Sequence, residues 1–177
     1  MSDLKARCLE AFPEWLKSLG PDIATLADLL SQDELDEGTR RWVAGGINYL
    51  FKSLDLIPDG IEDLGFIDDA FVVRVAAAKA LAGCPDNETL KRLAADAQLI
   101  ESFLEEDFTR LETYVGGLSQ VAARGRTVDE VVADSGLREQ LVGEARAWAD
   151  GYDAPTFARD EKNLVKLRAF LATKLPS

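Results

Sequence analysis

Residues 55–69 read DLIPDGIEDLGFIDD, and these fifteen positions hold six acids (Asp55, Asp59, Glu62, Asp63, Asp68 and Asp69) with no Lys, Arg or His. The whole chain has 32 Asp plus Glu against 20 Lys plus Arg, a net charge of -12, so this one stretch supplies half of the excess. Its pattern is that of a connection between two helices. Asp59 followed by Glu62 has the spacing of a capping box for a short helical turn, which Gly65 ends, and Asp55 is suited to accept backbone amides in the turn before Pro58. Asp68 and Asp69 open an apolar run, where carboxylates in a first turn meet the helix dipole for roughly 0.3 to 1 kcal/mol each. Capping therefore accounts for most of these acids without a ligand.

The competing reading is a hard divalent cation, Mg²⁺, Mn²⁺ or Ca²⁺, held by Asp55, Asp59, Asp68 and Asp69, because neighbouring carboxylates repel unless something neutralises them. An EF-hand register does not support it. With Asp55 in the first position, Asp59 and Gly60 fall correctly, but Ile57 occupies the third position and Phe66 the twelfth, where an acid is needed.

Outward from this loop the helical period appears almost everywhere, and strand signals are nearly absent. Leu4, Cys8, Ala11, Trp15 and Leu16 mark a first helix that admits Pro13 only with a kink or break, and Pro21 is expected to start a second, with Ile23, Leu26, Ala27 and Leu30 on one face. A third begins near Asp33 or after Gly38 and runs through Trp42, Val43, Ile47, Leu50 and Phe51. Gly45 and Gly46 inside it cost about 1 kcal/mol each relative to Ala, which predicts a tight helix crossing. A fourth covers 67–81, and Asp86 is the expected N-cap of a fifth.

That fifth segment carries Leu90, Leu93, Ala97, Ile100, Leu104, Phe108, Leu111, Val115 and Leu118 at a mean spacing near 3.5, a coiled-coil-like seam more often core than partner surface. Unbroken to Leu118 it would be ~50 Å long, so it breaks or projects. A Thr127/Glu130 capping box precedes Val128, Val131 and Val132, and helices near 137–149 and around Leu164, Leu167, Phe170 and Leu171 complete the chain. Trp15, Trp42 and Trp148 lie on apolar faces as core anchors. The expectation is an all-α, single-domain bundle over 1–177 of about seven helices, containing a helical hairpin around an acidic loop that forms an exposed corner.

Composition narrows function. The acidic balance opposes binding to nucleic acid and to anionic membrane surfaces. The first fifteen residues carry Asp3, Lys5, Arg7 and Glu10 and leave no apolar stretch for a secretory signal, and the most apolar window, 70–83, is interrupted by Arg74 and Lys79. No integral membrane insertion is expected, and the cytoplasm is the expected compartment. Cys8 and Cys84 are read as reduced structural thiols. The chain has no histidine at all, which removes Ser-His and Cys-His pairs and every His-containing metal site, and no phosphate-loop, dinucleotide or nucleophile-elbow motif occurs.

The stretch 47–81, INYLFKSLDLIPDGIEDLGFIDDAFVVRVAAAKAL, resembles the YkvA-like family, a widespread bacterial helical domain of unknown function also found attached to other domains. Tyr49, Asp55, Leu56, Ile57, Pro58, Asp59, Ile61, Gly65, Asp68 and Asp69 carry the resemblance. The chain departs from the family pattern at Lys52, Ser53 and Leu54, where a Pro often precedes the first Asp, and at Glu62, where a second Pro often stands. The resemblance implies no enzymatic activity. Many members look like membrane-associated hairpins, which adds a further alternative, peripheral attachment through the faces of 42–51 and 70–81. The leading expectation is a non-enzymatic protein-interaction or regulatory module, with a protein partner or self-association through helical faces. A carboxylate-dependent metal protein or metal-assisted hydrolase is the second.

Overall fold

The computed structural model describes residues 2–52, 56–58, 60, 61 and 63–177. Among the described residues the protein is all-α, with eight α-helices: α1 (Asp3–Leu30), α2 (Glu37–Tyr49), α3 (Ile67–Ala80), α4 (Glu88–Leu104), α5 (Asp107–Gly116), α6 (Val128–Ala133), α7 (Ser135–Gly151) and α8 (Glu161–Lys174). Short 3₁₀ turns, Leu81–Gly83 and Gly117–Gln120, follow α3 and α5. Several helix starts are the ones their caps dictate. Asp36 accepts the Thr39 amide at the head of α2, and the Thr127/Glu130 capping box heads α6. The N-cap of α4 is Asn87 rather than Asp86, one residue later, with its side chain accepting from the Leu90 amide.

The two helices expected to meet at Pro21, the first kinked or broken at Pro13, are one. α1 runs for 28 residues with both prolines inside it. A proline forfeits its own helical hydrogen bond and crowds the preceding turn, but Cys8, Phe12, Trp15, Leu16, Leu19, Ile23, Leu26 and Leu30 all bury one continuous face across both positions. In the turn before Pro21, two carbonyls receive additional donors, Trp15 from the Ser18 hydroxyl at 3.3 Å and Leu16 from the Tyr152 hydroxyl at 2.7 Å. Burial of the face outweighs the local breaker.

The fifth predicted helix breaks instead of projecting. Glu105 takes a left-handed φ of 55° between α4 and α5, and the free carbonyl of Leu104 is met by Arg168 from α8 at 3.2 Å. Arg110 of α5 returns the favour at the other end of α8, donating to the carbonyls of Ala172, Leu175 and Pro176 at 2.6 to 2.9 Å. These two arginines satisfy helix-end carbonyls that no intrahelical amide reaches. The seam itself is intramolecular core: apart from half-buried Phe108, each of its apolar residues is buried.

Around the centre, the Phe12 ring packs against Trp15, Phe71, Phe103 and Phe157 with centroids 5.0 to 5.9 Å apart, joining α1, α3, α4 and the segment before α8. α3 is buried on nearly every side, as expected of a helix apolar all round, and its Arg74 is 0% exposed. The Arg74 guanidinium donates to Asp96 of α4 at 3.0 Å, lies 3.6 Å from Asp22 of α1 and stacks 4.5 Å from the Trp15 ring. Asp22 also accepts from Ser18 at 2.9 Å and from Arg92 at 2.5 Å. Burial pulls the Arg74 pKa down while Asp96 and Asp22 push it up. Removing one member of such a buried pair typically costs about 3–5 kcal/mol, because the other charge is left uncompensated.

α2 and α3 form the expected hairpin, and its tight crossing uses one glycine of the pair. A Cβ built on Gly46 would lie 3.2 Å from the Ala76 Cβ and 3.6 Å from the Val73 Cα, whereas one on Gly45 meets nothing within 4 Å. Gly45→Ala is therefore expected to raise stability by about 0.5–1 kcal/mol through helix propensity. Gly46→Ala sets two rigid Cβ atoms against each other and is expected to lower it. Urea denaturation midpoints on either side of the parent value are the predicted result, and equal gains for both would contradict this crossing geometry.

Candidate functional site

The candidate site lies where α2 ends and α3 begins. Tyr49, the last residue of α2, is 1% exposed, and Asp68, in the first turn of α3, is 0% exposed. The Tyr49 hydroxyl donates to Asp68 Oδ2 at 2.7 Å. The same hydroxyl accepts the Leu56 amide at 2.8 Å, and Asp68 Oδ2 accepts the Ile57 amide at 3.4 Å. A connecting segment can enter a core only if its backbone polar groups are met there. Here two side chains from the flanking helices meet them, and Leu56, Ile57 and Leu64 are buried in consequence.

Burial is the largest cause holding the Tyr49 phenol far above its ordinary pKa, followed by the negative charges of Asp68 and Asp69. Tyr49 accordingly stays a protonated donor throughout the neutral range. Outside it, the Tyr114 ring packs edge-on at 6.1 Å, and Lys52 donates to the Tyr114 hydroxyl at 2.6 Å. Asp69 is also buried, 1% exposed, and after burial its charge is the next cause raising the pKa of Tyr152, at the end of α7. Phe66, in a left-handed conformation at φ 65°, turns the chain into α3 and packs against Trp148 and Tyr152 at 6.0 and 5.6 Å.

Two of the four proposed metal ligands, Asp68 and Asp69, are thus adjacent and buried. Asp55 and Asp59 lie outside the described residues, as does Glu62 with the capping box proposed for it. Among the described residues no three carboxylate or thiol groups gather as a cation site. Of the remaining motif positions, Pro58 is exposed, Ile61 half-buried and Gly65 buried. The Pro58 carbonyl accepts the Ile61 amide at 3.0 Å, and the Ile61 carbonyl accepts the Gly65 amide at 3.1 Å. The loop is therefore no exposed corner in its described part. It is exposed at Pro58 and Gly60, while its apolar residues and both α3 carboxylates face inward.

One contributor escaped the sequence reading. Asn163 of α8, buried, donates through Nδ2 to the carbonyls of Asp63 at 3.0 Å and Ala158 at 3.3 Å. Its only sequence signal is a polar residue on the inward stripe with Leu164, Leu167 and Leu171. Both thiols are free; Cys8 is buried, which pushes its pKa up to about 11, and Cys84 is half-buried.

The fold and site define an all-α protein built on a hydrogen-bonded helical hairpin. Residues 39–74 match the model of a family described as a protein of unknown function, DUF1232. The YkvA-like family is a DUF1232 family, so the resemblance is supported. The match spans most of α2, the loop and α3 as far as the buried Arg74. No curated protein matches the chain, and no solved structure does. Among the described residues, no helix is long and apolar enough to cross a membrane.

Tyr49→Phe removes the hydroxyl that both Leu56 and Asp68 use, and is expected to cost about 1–3 kcal/mol in urea denaturation. It also has a pH signature. Unfolded tyrosine ionises near 10.0 while folded Tyr49 holds its proton well above that, so its contribution is complete below pH 10 and declines as pH rises further, by up to ~1.4 kcal/mol per pH unit. Tyr49→Phe should flatten the alkaline limb of the stability profile; parallel profiles would exclude the buried phenol.

Proposed function

We propose that this protein is a non-enzymatic protein-interaction or regulatory module of the cytoplasm, in which the DUF1232 segment is an internal fastener and the outer helical faces meet partners. The observation that carries this reading is the Tyr49–Asp68 hydrogen bond with its two loop amides. It engages described polar groups of the motif with one another and with backbone, inside the protein. The acidic charge supports a protein partner over nucleic acid. Attachment to a membrane through 42–51 and 70–81 is less favoured, because Val43, Ile47, Phe71, Val72, Val73 and Val75 are committed to the core.

A second reading has its own support. Asp68 and Asp69 are consecutive buried carboxylates at a helix start, and their charges act together on Tyr49. A divalent cation shared with Asp55 and Asp59 would relieve that concentration of charge and could serve metal-assisted hydrolysis.

Two measurements on the full chain separate these readings. The interaction reading expects a partner recovered by cross-linking in cell extract, or defined self-association, unchanged in a folded Asp68→Asn, Asp69→Asn variant. It also expects no thermal shift with millimolar Mg²⁺, Mn²⁺ or Ca²⁺. A cation at 100 times its Kd would stabilise by ~2.7 kcal/mol; such a shift, abolished in the double variant, would establish the cation reading. A strictly monomeric protein without a partner would overturn the first.

A further inference from the structure

The charges of this chain are unevenly distributed between two helical faces. Residues 94–112 contain six acids (Asp96, Glu101, Glu105, Glu106, Asp107 and Glu112) and one base, Arg110, whose guanidinium is committed to Asp107 and to carbonyls after α8. Residues 159–174 contain five bases (Arg159, Lys162, Lys166, Arg168 and Lys174) and two acids. Arg159 turns to Glu14 at 3.5 Å and Arg168 to Glu105 and Asp107 at 3.8 and 3.9 Å, so the positive charge on the outer face of α8 comes from Lys162 and Lys166, both exposed.

The shapes are complementary as well. α3, α4 and α5 enclose a trough of about 280 Å³. Its floor is small, with Ala78, Ala94 and Ala97 from facing helices, and half-buried Phe108 forms one wall. Small residues let another helix approach closely enough for one of its side chains to fill the depression. On the rim stand Glu101 and Glu112, the latter joined to Lys79 at 2.7 Å.

The outer face of α8 carries Val165, which is 64% exposed, the most exposed large apolar side chain among the described residues. It lies in the stripe Lys162, Val165, Lys166, Ala169, spaced i, i+3, i+4, i+7, and all four are exposed. On α4 the trough repeats that spacing with Ala94, Ala97, Gln98 and Glu101. A valine flanked by lysines fits a small-residue hollow whose rim carries Glu101 and the Glu112–Lys79 pair.

We infer that the occupant of this trough is a second copy of the chain, with Val165 of one copy seated among Ala78, Ala94 and Ala97 of the next and the α8 lysines against the Glu101 and Glu112 rim. This rests on the interaction reading above and names its partner. Because the two surfaces are different patches of one molecule, the contact is head-to-tail: it leaves a free trough and a free α8 face at the ends unless a ring closes. A contact of this size is weak and charge-assisted, and weakens with salt.

Sedimentation velocity of the full chain between about 10 µM and 1 mM tests it, using Ala94→Arg to fill the trough and Val165→Asp to disable the knob, each checked for helicity by circular dichroism. Val165→Asp is on an exposed face, so its folding does not depend on the trough. The parent chain is expected to gain mass with concentration and lose the gain in high salt. Each variant alone should stay monomeric, and their equimolar mixture should stop at a dimer, since one intact trough and one intact α8 face remain. A parent that stays monomeric at 1 mM, a variant that associates like the parent, or a mixture that does not pair would overturn the inference. Recovery of a different protein from extract by a monomeric parent would overturn it while leaving the interaction reading standing.

Discussion

A phenol at the end of one helix and a carboxylate at the start of the next are held together inside the protein, and the packing around them depends on that contact. Tyr49 and Asp68 are 19 positions apart in sequence and 2.7 Å apart in space. Between them the chain must turn back without leaving backbone amides unmet in an apolar surrounding, a penalty of roughly 1–3 kcal/mol for each group. By taking the Leu56 and Ile57 amides, the pair lets Leu56, Ile57 and Leu64 enter the core. The ends of α2 and α3 are fixed relative to each other, which brings Gly46 onto Ala76 and presents Arg74 to Asp22 and Asp96. α1 and α4 are then tied to the hairpin through charge as well as through the Phe12 aromatic cluster.

Much of the architecture was legible in sequence because its determinants are local. The Thr127/Glu130 box needs only four residues to specify a helix start, and the all-α class follows from a period that recurs along the chain. Where a decision was tertiary, local signals misled. Pro13 and Pro21 read as breakers because their cost is visible in sequence, while the face that offsets it is visible only when α7 and the core lie against α1. The break at Glu105 has no glycine to announce it; Arg168, 63 positions later, provides the carbonyl contact that accompanies it.

The same division applies to the candidate site. Sequence identified Tyr49 and Asp68 as members of one pattern but not as partners, since a hydrogen bond across a loop leaves no periodic trace. Asp68 and Asp69 were placed correctly in a first turn, yet the dipole of α3 is only part of their setting: Asp68 accepts from Tyr49, and the charge of Asp69 raises the pKa of both Tyr49 and Tyr152. Asn163 was unreadable for a similar reason, being one amide on an apolar stripe whose acceptors lie on another segment.

The stretch matching DUF1232 runs from within α2 through the loop to Arg74, so it spans this fastened hairpin, and α4, α5 and α8 lie outside it. Held at both amides, the loop is locked from within. Amide hydrogen exchange at Leu56 and Ile57 tests it most directly. If Tyr49 and Asp68 hold these amides, both exchange only through large-scale opening, at rates matching Val72 and Val73 in the centre of α3. Exchange at the rate of an open surface loop, with α3 still protected, would contradict the account.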